Sequence, residues 1–111
     1  RAIEYNNELV GCIGVTRGEF EYSRSGEIGY WIAHEHWRKG IATQAINNIV
    51  SYTFEQTNMI RLFAAVFCEN LASKGALEKC GFKPEAILKK AIFKNNTLYN
   101  NHIFSKLKDD K

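Results

Sequence analysis

The sequence predicts a single α/β or α+β domain in which helices pack against a β-sheet. Three observations predict this class: strand-like and helix-like segments alternate along the chain, one segment has the period of an amphipathic helix, and one continuous apolar run suits the middle of a sheet. The 111 residues are 45% hydrophobic and 24% charged, which is typical of one globular domain. The chain has no repeat and no linker rich in Pro, Gly or Ser, so we assign one domain to residues 1–111.

Three strands are predicted at the start of the chain. The segments "RAIEY" and "LVGCIGVTRGEF" are rich in β-branched and aromatic residues. The turn-forming residues "NNE" separate them, which predicts a hairpin. The third strand is "GEIGYWIA".

The segment after Gly40 has the period of an amphipathic helix. Apolar or small residues recur there at the i, i+3, i+4, i+7 spacing that packs one helix face on a sheet. They are Ala42, Ala45, Ile46, Ile49, Val50, Thr53 and Phe54. The run "IRLFAAVF" follows and is predicted to be a short, fully buried strand, since continuous apolar runs suit central strands.

A second helix is predicted in "ENLASKGALEKCGF". Asn70 is a suitable N-cap, and Gly81 can adopt the left-handed conformation that ends a helix. Phe82 would then pack back on Leu77. The remaining segment, "AILKKAIFKNNTLYNNHIFSKL", predicts two strands around the turn "KNN".

Charge and cysteine content exclude several classes of function. The net charge of +3 is compatible with an anionic ligand, but the lysines are too dispersed to favour nucleic acid as a partner. Cys12, Cys68 and Cys80 are far apart and lack CxxC spacing, so neither a disulfide framework nor a zinc site is supported, and a cytoplasmic location fits best. No apolar run approaches the roughly 20 residues that span a membrane, and no export signal is recognised.

The segment "WRKGIAT" is a candidate phosphate site. A strand that leads through a glycine loop into a helix presents backbone N–H groups and the positive end of the helix dipole. Gly40 and Ala42 are small enough for a pyrophosphate to approach the backbone, and Arg38 or Lys39 can add charge. The alternative is an ordinary solvated turn in which Gly40 only satisfies the backbone dihedral angles.

Two segments together resemble the GNAT superfamily of acyl-CoA N-acyltransferases. "GEIGYWIAHEHWRKGIATQAI" is similar to the central strand and pyrophosphate loop of that superfamily, and "ENLASKGALEKCGF" is similar to its Asn-x-x-Ser helix that ends in Glu-Lys-x-Gly-Phe. Together the two segments resemble the branch that includes the ribosomal-protein N-terminal acetyltransferases of the RimJ and RimL type. The resemblance implies a mixed twisted sheet with helices on both faces, and a further strand and two helices before the first strand seen here.

The resemblance also implies a binding site for acetyl-CoA as the acyl donor. Backbone groups of Ile32, Ala33 and His34 would bind the pantetheine arm, and Asn70 would hydrogen-bond to it unless Asn70 is only an N-cap. The amides that would hold the pyrophosphate belong to Arg38, Lys39, Gly40, Ile41, Ala42 and Thr43. Trp37 departs from the Arg or Gln that is usual at the first loop position. The superfamily separates two parallel strands to admit the cofactor, here "GEIGYWIA" and "IRLFAAVF".

Candidate catalytic residues are Ser73 and Glu27. Ser73 would stand near the sulfur as proton donor to the leaving thiolate, because the helix lacks the tyrosine that is common in the superfamily; the alternative is a partner of the N-cap. Glu27 would take the amine proton directly or through water; the alternative is a structural carboxylate. Some members of the branch carry a carboxylate on a later strand, but the aligned position here holds Ile92.

Other polar and aromatic residues have plainer interpretations. His34 and His36 form an HxH pair without a third ligand nearby, so no metal is predicted. Cys68 and Cys80 are read as buried small apolar residues. Tyr30, Trp31 and Tyr99 either line an acceptor pocket or belong to the core.

The implied reaction is transfer of acetyl from acetyl-CoA to a primary amine, above all a protein N-terminal α-amine, by direct attack in a ternary complex. Orientation and polarisation of the thioester carbonyl by a backbone N–H would supply the catalysis. If the preceding part of the fold is absent, a second copy of the chain is a candidate partner that completes the pocket. The alternative is a non-catalytic GNAT-like module that binds CoA or a protein.

Overall fold

In the part of the chain that it describes, the computed structural model contains a six-stranded mixed sheet and two α-helices. It describes residues 1–36, 40–67 and 71–109, apart from the side chains of His34 and Phe67. The strands are β1 (Ala2–Tyr5), β2 (Glu8–Arg17), β3 (Ser25–Ile32), β4 (Arg61–Phe67), β5 (Lys83–Lys94) and β6 (Thr97–Leu107), and the helices are α1 (Ile41–Gln56) and α2 (Leu71–Lys79). The strand order is β1-β2-β3-β4-β6-β5, in which β3 and β4 are parallel and the other neighbours are antiparallel. The predicted fold class is confirmed.

Both predicted hairpins close through a pair of asparagines. Asn6 and Asn7 join β1 to β2, and Asn95 and Asn96 join β5 to β6, all with positive φ between 52° and 67°. Two consecutive residues of this conformation form the tight turn whose twist matches the flanking strands, and asparagine tolerates it better than most residues. The sequence therefore fixes the register of the two outer strand pairs locally.

The second strand is shorter than the sequence predicts. The prediction extended it to Phe20, but β2 ends at Arg17, and Phe20–Tyr22 forms a short 3-10 helix. The Gly18 N–H donates to the Ser25 carbonyl at 2.9 Å, and beyond this bond the chain turns towards β3. Phe20 has a φ of 52° and is exposed. This aromatic residue therefore belongs to the 3-10 helix and not to a strand.

The core lies between one face of the sheet and the two helices. The buried side of α1 is the predicted one, with Ile46, Ile49 and Phe54 among its buried residues, and α2 adds the fully buried Leu77. The two helices contact each other and share a single buried cluster with the strands. Helices on both faces are what the resemblance implies for the whole fold; the two helices described here lie against the same face.

Strand β4 is central in the sheet, as predicted, but it is not fully buried. Leu62, Ala64 and Val66 are buried, whereas Ala65 between them is exposed. Successive side chains of a strand point to opposite faces. Only one face of β4 is covered by the helices of the described residues, so the continuous apolar run overstated the burial.

The end of α2 forms the glycine-closed cap that the sequence predicts. Gly81 has a φ of 88°, its N–H donates to the Glu78 carbonyl, and the Phe82 N–H donates to the Leu77 carbonyl, both at 3.0 Å. This is the hydrogen-bond pair of a Schellman motif. Phe82 and Leu77 both belong to the buried core cluster, in agreement with the predicted packing of Phe82 back towards the helix.

An ion pair links the start of β4 to β5 and should give a small acid-dependent stability. Arg61 pairs with the Glu85 carboxylate, which also accepts a hydrogen bond from Ser105 at 2.9 Å. These bonds, the one from Arg61 foremost, hold the pKa of Glu85 below its usual range. A lowered carboxyl pKa stabilises the fold above the unfolded-state pKa, and that stability is lost as pH falls through the folded-state pKa.

We expect Glu85→Gln to lower the free energy of unfolding at pH 7 by less than about 1 kcal/mol, since the pair is largely solvent-exposed. The difference from the unsubstituted protein should vanish at acid pH. Urea unfolding at a series of pH values measures it. If the loss of unfolding free energy in Glu85→Gln stays the same at acid pH, its cause is not the charge of Glu85.

Candidate functional site

A gap opens in the sheet between the two parallel strands. Pairing of β3 with β4 covers three residue pairs and ends at Glu27 opposite Phe63, although β3 continues to Ile32 and β4 to Phe67. Beyond Phe63, β4 pairs with β6 alone, and beyond Glu27, β3 pairs with β2 alone. The strands therefore diverge towards their carboxyl ends, which is the separation that the resemblance implies.

The amino end of α1 lies beside this gap. Gly40 is its N-cap, with a φ of 78° and no side-chain cap, and the Gln44 N–H makes the first helical bond to the Gly40 carbonyl at 3.1 Å. The first turn contains no acidic residue. A Cβ built on Gly40 meets no atom of the described residues within 4 Å, so within that part of the chain this end of the helix is open. Open first-turn amides and the helix dipole together suit an anion such as a phosphate.

A cavity of about 540 Å³ joins these features. Its lining combines the carboxyl end of β3, the start of α1 and one side of α2. The lining residues are Tyr30, Trp31, Ile32, His36, Gly40, Ala42, Thr43, Leu71, Ala72, Ser73, Gly75, Ala76 and Lys79. Four of the six α2 residues in this lining, Ala72, Ser73, Gly75 and Ala76, are small, which leaves room for a ligand. Among the described residues this lining includes Lys79 and no carboxylate, so the cavity suits an anionic ligand.

Two hydroxyl groups meet inside the cavity. Tyr30 from β3 and Ser73 from the first turn of α2 are joined by a short hydrogen bond between their side-chain oxygens. Burial raises the pKa of Tyr30 above its ordinary value. The phenol therefore stays protonated at neutral pH. The sequence placed Ser73 at the site but gave Tyr30 no role beyond pocket or core.

The carboxyl end of β3 is held by hydrogen bonds of Ala33. Its N–H donates to the Val10 carbonyl at 2.8 Å, and its carbonyl accepts from the His36 N–H at 2.9 Å. Both backbone groups of Ala33 are thus engaged within the chain. Ile32, the neighbour predicted to bind the pantetheine arm, lines the cavity.

Cys80 connects the two helices behind the cavity. Its thiol donates to the Thr43 carbonyl at 3.3 Å, which ties the end of α2 to the first turn of α1. Burial raises the pKa of the Cys80 thiol, so it remains neutral. Cys80 is buried, as predicted. Its hydrogen bond to Thr43 holds the end of α2 against the first turn of α1, the helix that Gly40 caps.

Glu27 lies at the point where the gap opens, on the side of the sheet away from the cavity. Its cross-strand neighbours are Thr16 and Phe63, and its side chain is exposed. Alternation places it opposite to Ile28 and Tyr30, which face the helices. The structure therefore brings Ser73, Ile32 and the start of α1 together around the cavity and places Glu27 on the opposite face of the sheet.

Several predicted positions lie outside the cavity or outside the described residues. Arg38, Lys39 and Asn70, with Trp37 and Cys68, belong to residues 37–39 and 68–70, which the structure does not describe. The side chain of His34 is likewise outside the described part. Tyr99 is half-buried and is not among the cavity residues, whereas Trp31 is 56% exposed at its rim.

Of the two histidines in the HxH pair, the structure describes the side chain of His36, and this side chain contacts two others. The His36 ring packs edge-on against Tyr5 and lies 3.8 Å from the Glu8 carboxylate. Within residues 1–36, 40–67 and 71–109, no group of three His, Cys, Asp or Glu residues is placed to hold a metal ion. In the same part of the chain no helix is both long and apolar enough to cross a membrane.

Known proteins resemble the chain in both sequence and structure. It is 40% identical over 101 residues to an uncharacterized N-acetyltransferase, YoaA, of Bacillus subtilis, covering 91% of this chain and 56% of that protein. It is 36% identical over 87 residues to a spermidine N(1)-acetyltransferase of Vibrio cholerae, covering 78% and 50%. The crystal structure of a ribosomal-protein-S5-alanine acetyltransferase from Vibrio fischeri superposes with a TM-score of 0.83 at 28% identity, covering 94% of this chain and 57% of that one.

The chain thus spans between half and three fifths of the length of these relatives. A family model described as an acetyltransferase (GNAT) domain matches residues 2–83, which include the gap, the start of α1 and Ser73. Members of this family take acetyl-CoA as acyl donor, and the open helix end and the cavity described above fit such a molecule. The chain belongs to the GNAT acetyltransferase domain family.

Proposed function

We propose that the protein transfers acetyl from acetyl-CoA to a primary amine, and that the amine is the N-terminal α-amino group of a protein. The observation that carries the proposal is the meeting of the strand gap, the open amino end of α1 and the Ser73 hydroxyl around one cavity. A site for phosphate, a cavity and a hydroxyl group that can donate a hydrogen bond match the pyrophosphate, the pantetheine arm and the sulfur of an acyl-CoA molecule.

The donor would be held mainly by backbone groups. In the proposal, the pyrophosphate lies against the amides of residues 38–43, where Gly40 and Ala42 permit close approach, and Ile41 and Thr43 supply further N–H groups. The pantetheine arm runs along the carboxyl end of β3, and Asn70 hydrogen-bonds to it. Arg38 and Lys39 contribute through their backbone N–H groups. Such a site holds the thioester in a fixed position before the amine arrives.

Ser73 and Glu27 would act from opposite sides of the sheet. Ser73 lines the cavity that receives the donor, whereas Glu27 stands on the other face at the point where β3 and β4 part. An amine that reaches the thioester through the gap from that face passes Glu27 first. The proposed role of Glu27 is to take the amine proton, directly or through water, and that of Ser73 is to stabilise the leaving sulfur.

The acceptor proposal depends on the basicity of the amine. An α-amino group has a pKa near 8 and is partly neutral at pH 7, whereas an alkyl amine of the lysine type, near 10.4, is almost wholly protonated. A base as exposed as Glu27 suits the first class better. One relative is named for a ribosomal-protein alanine and another for spermidine, so both classes of amine belong in the test.

The test measures thiol release from acetyl-CoA by the protein at its natural full length. Peptides with a free α-amine, the same peptides with a blocked amino terminus, and spermidine serve as acceptors. We expect turnover with the free α-amine alone. A preference for spermidine would show that the acceptor is an alkyl amine instead of an α-amine. Tight binding of CoA in calorimetry, without thiol release in the presence of any of these amines, would favour the non-catalytic alternative.

The role of Glu27 predicts a pH-dependent defect. We expect Glu27→Gln to lower kcat/KM about 10²-fold at pH 7, because a general base typically contributes on that order. The loss should shrink as pH rises towards the amine pKa, since solution then supplies the neutral amine. Glu78→Gln, an equally exposed carboxylate on α2 outside the cavity, is the control. An unaltered pH profile in Glu27→Gln would remove Glu27 as the base.

A further inference from the structure

The hydrogen bond between Tyr30 and Ser73 connects β3 to α2 beside the strand gap. Tyr30 lies on β3, Ser73 lies 43 positions later on α2, and both line the cavity. The residues that follow Glu27 on β3 make no strand pairing with β4, so this side-chain bond spans a region where no β3–β4 backbone ladder exists. A bond at that place constrains the hydroxyl that the proposed function sets beside the donor sulfur.

The direction of this bond follows from the acidity of its two groups. A phenol is a much stronger acid than an aliphatic alcohol and is therefore the better donor. Burial raises the pKa of Tyr30, so the phenol keeps its proton through the neutral range. The acidity of the two groups therefore favours Tyr30 as the donor and the Ser73 oxygen as the acceptor. With that assignment, the single hydroxyl hydrogen of Ser73 is donated to an acceptor other than Tyr30.

We propose that Tyr30 is a positioning residue that directs the Ser73 O–H towards the leaving sulfur of the thioester. The inference rests on the proposed function and deepens it. Tyr30 itself touches no reacting atom. Its donation into the Ser73 oxygen also polarises the Ser73 O–H, since hydrogen bonds in a chain strengthen one another in a low-dielectric site.

The chemistry at the sulfur balances without proton loss from either hydroxyl. The amine nitrogen forms the new C–N bond, the C–S bond breaks, and its electron pair stays on sulfur. The amine proton passes to the base or to water. The Ser73 O–H donates a hydrogen bond to the resulting thiolate, which later takes its proton from solvent. A thiol has a pKa near 8.5, so the thiolate needs stabilisation rather than full protonation by a far weaker acid.

The kinetic test compares three variants. Tyr30→Phe removes one hydroxyl and keeps the ring that packs beside the core. We expect it to lower kcat about tenfold with KM for acetyl-CoA unchanged, as for one hydrogen bond made stronger in the transition state. Ser73→Ala should cost at least as much, and the double variant should cost no more than Ser73→Ala. Tyr52→Phe, an exposed tyrosine on α1, is the control and should retain full activity.

A spectroscopic test detects the positioning directly. The ultraviolet absorbance of the thiolate of bound CoA, measured against bound desulfo-CoA over a pH series, gives the pKa of the bound thiol. In the unsubstituted protein we expect the pKa of bound CoA to lie below that of free CoA. Tyr30→Phe and Ser73→Ala should each raise the pKa of bound CoA, which corresponds to an acid dissociation constant up to about tenfold lower. A purely structural role for Tyr30 leaves this titration unchanged.

The outcomes separate the two proposals. Full activity and an unshifted titration in Tyr30→Phe would overturn the positioning role while leaving acetyl transfer intact. Absence of turnover with every amine would overturn the proposed function, and the titration of bound CoA would still decide the role of Tyr30. Failure of CoA to bind would overturn both. Thermal unfolding of each variant distinguishes a lost hydroxyl from a lost fold, and additive losses in the double variant would also contradict the linkage.

Discussion

Replacement of Gly40 by valine is expected to abolish CoA binding in a protein that still folds. Gly40 has a φ of 78°, a conformation that costs L-residues about 1–2 kcal/mol and β-branched residues more. A Cβ at this position meets no atom of the described protein within 4 Å, so the new side chain enters the open space at the amino end of α1 instead of the core. We expect the Kd for CoA to rise at least about 100-fold, as when a binding group is displaced by an ångström. Isothermal titration calorimetry measures it.

Gly81→Ala is the matched control for backbone strain. Gly81 has a φ of 88° and closes α2 away from the cavity lining, and its new Cβ would meet only the flexible end of Lys106. Its thermal stability should fall much as that of Gly40→Ala does, with the Kd for CoA unchanged. Equal weakening of CoA binding in both alanine variants would attribute the effect to general strain. Unchanged affinity in Gly40→Val would reject the phosphate site.

Gly11→Ala is expected to destabilise the fold by about 1–3 kcal/mol or more. A Cβ on Gly11 would collide with the backbone carbonyl oxygen of Trp31 on the neighbouring strand and lie 3.1 Å from the Cα of Ile32. A backbone neighbour cannot rotate away, so β2 and β3 must separate, and overpacking of this kind costs that order of energy. Urea unfolding measures the loss. Because Trp31 and Ile32 form the cavity wall, CoA affinity should fall as well.

Gly14→Ala tests the same strand without the collision. Gly14 is also in β2 and pairs with Gly29, yet a Cβ there meets nothing within 4 Å. We expect Gly14→Ala to unfold at the same urea concentration or slightly later, since alanine costs less backbone entropy than glycine in a strand. Similar stability of the two alanine variants would contradict the close approach of β2 and β3 at Gly11.

The elements that the sequence predicted well are those encoded by neighbouring residues. The period of α1, the asparagine pairs of both hairpins and the glycine cap of α2 each depend on contacts within a few positions, and all three are confirmed. The open helix end at Gly40 was predicted for the same reason: a glycine and the first turn of one helix suffice to form it. Arg38, Lys39 and Asn70 remain predictions because they lie outside the described residues.

The features that escaped prediction depend on distant residues. The separation of β3 from β4 was expected from the resemblance alone, because the length of their pairing depends on where two strands separated by a whole helix stop matching, and no local pattern records it. The bond from Tyr30 to Ser73 joins positions 43 apart. Alternation gave a partial signal, because Tyr30 shares a face with Ile28 and Ile32, but reaching Ser73 requires the placement of α2. The exposed face of β4 was missed because an apolar run does not reveal which layer covers it.

The short pairing of β3 with β4 divides the sheet into two three-stranded parts. One comprises β1, β2 and β3, and the other comprises β4, β6 and β5; each is antiparallel and is built from segments close in the chain. Three residue pairs and the helix layer join them. A ligand bound between the separated ends of β3 and β4 would therefore connect the two halves of the sheet where the backbone ladder is missing.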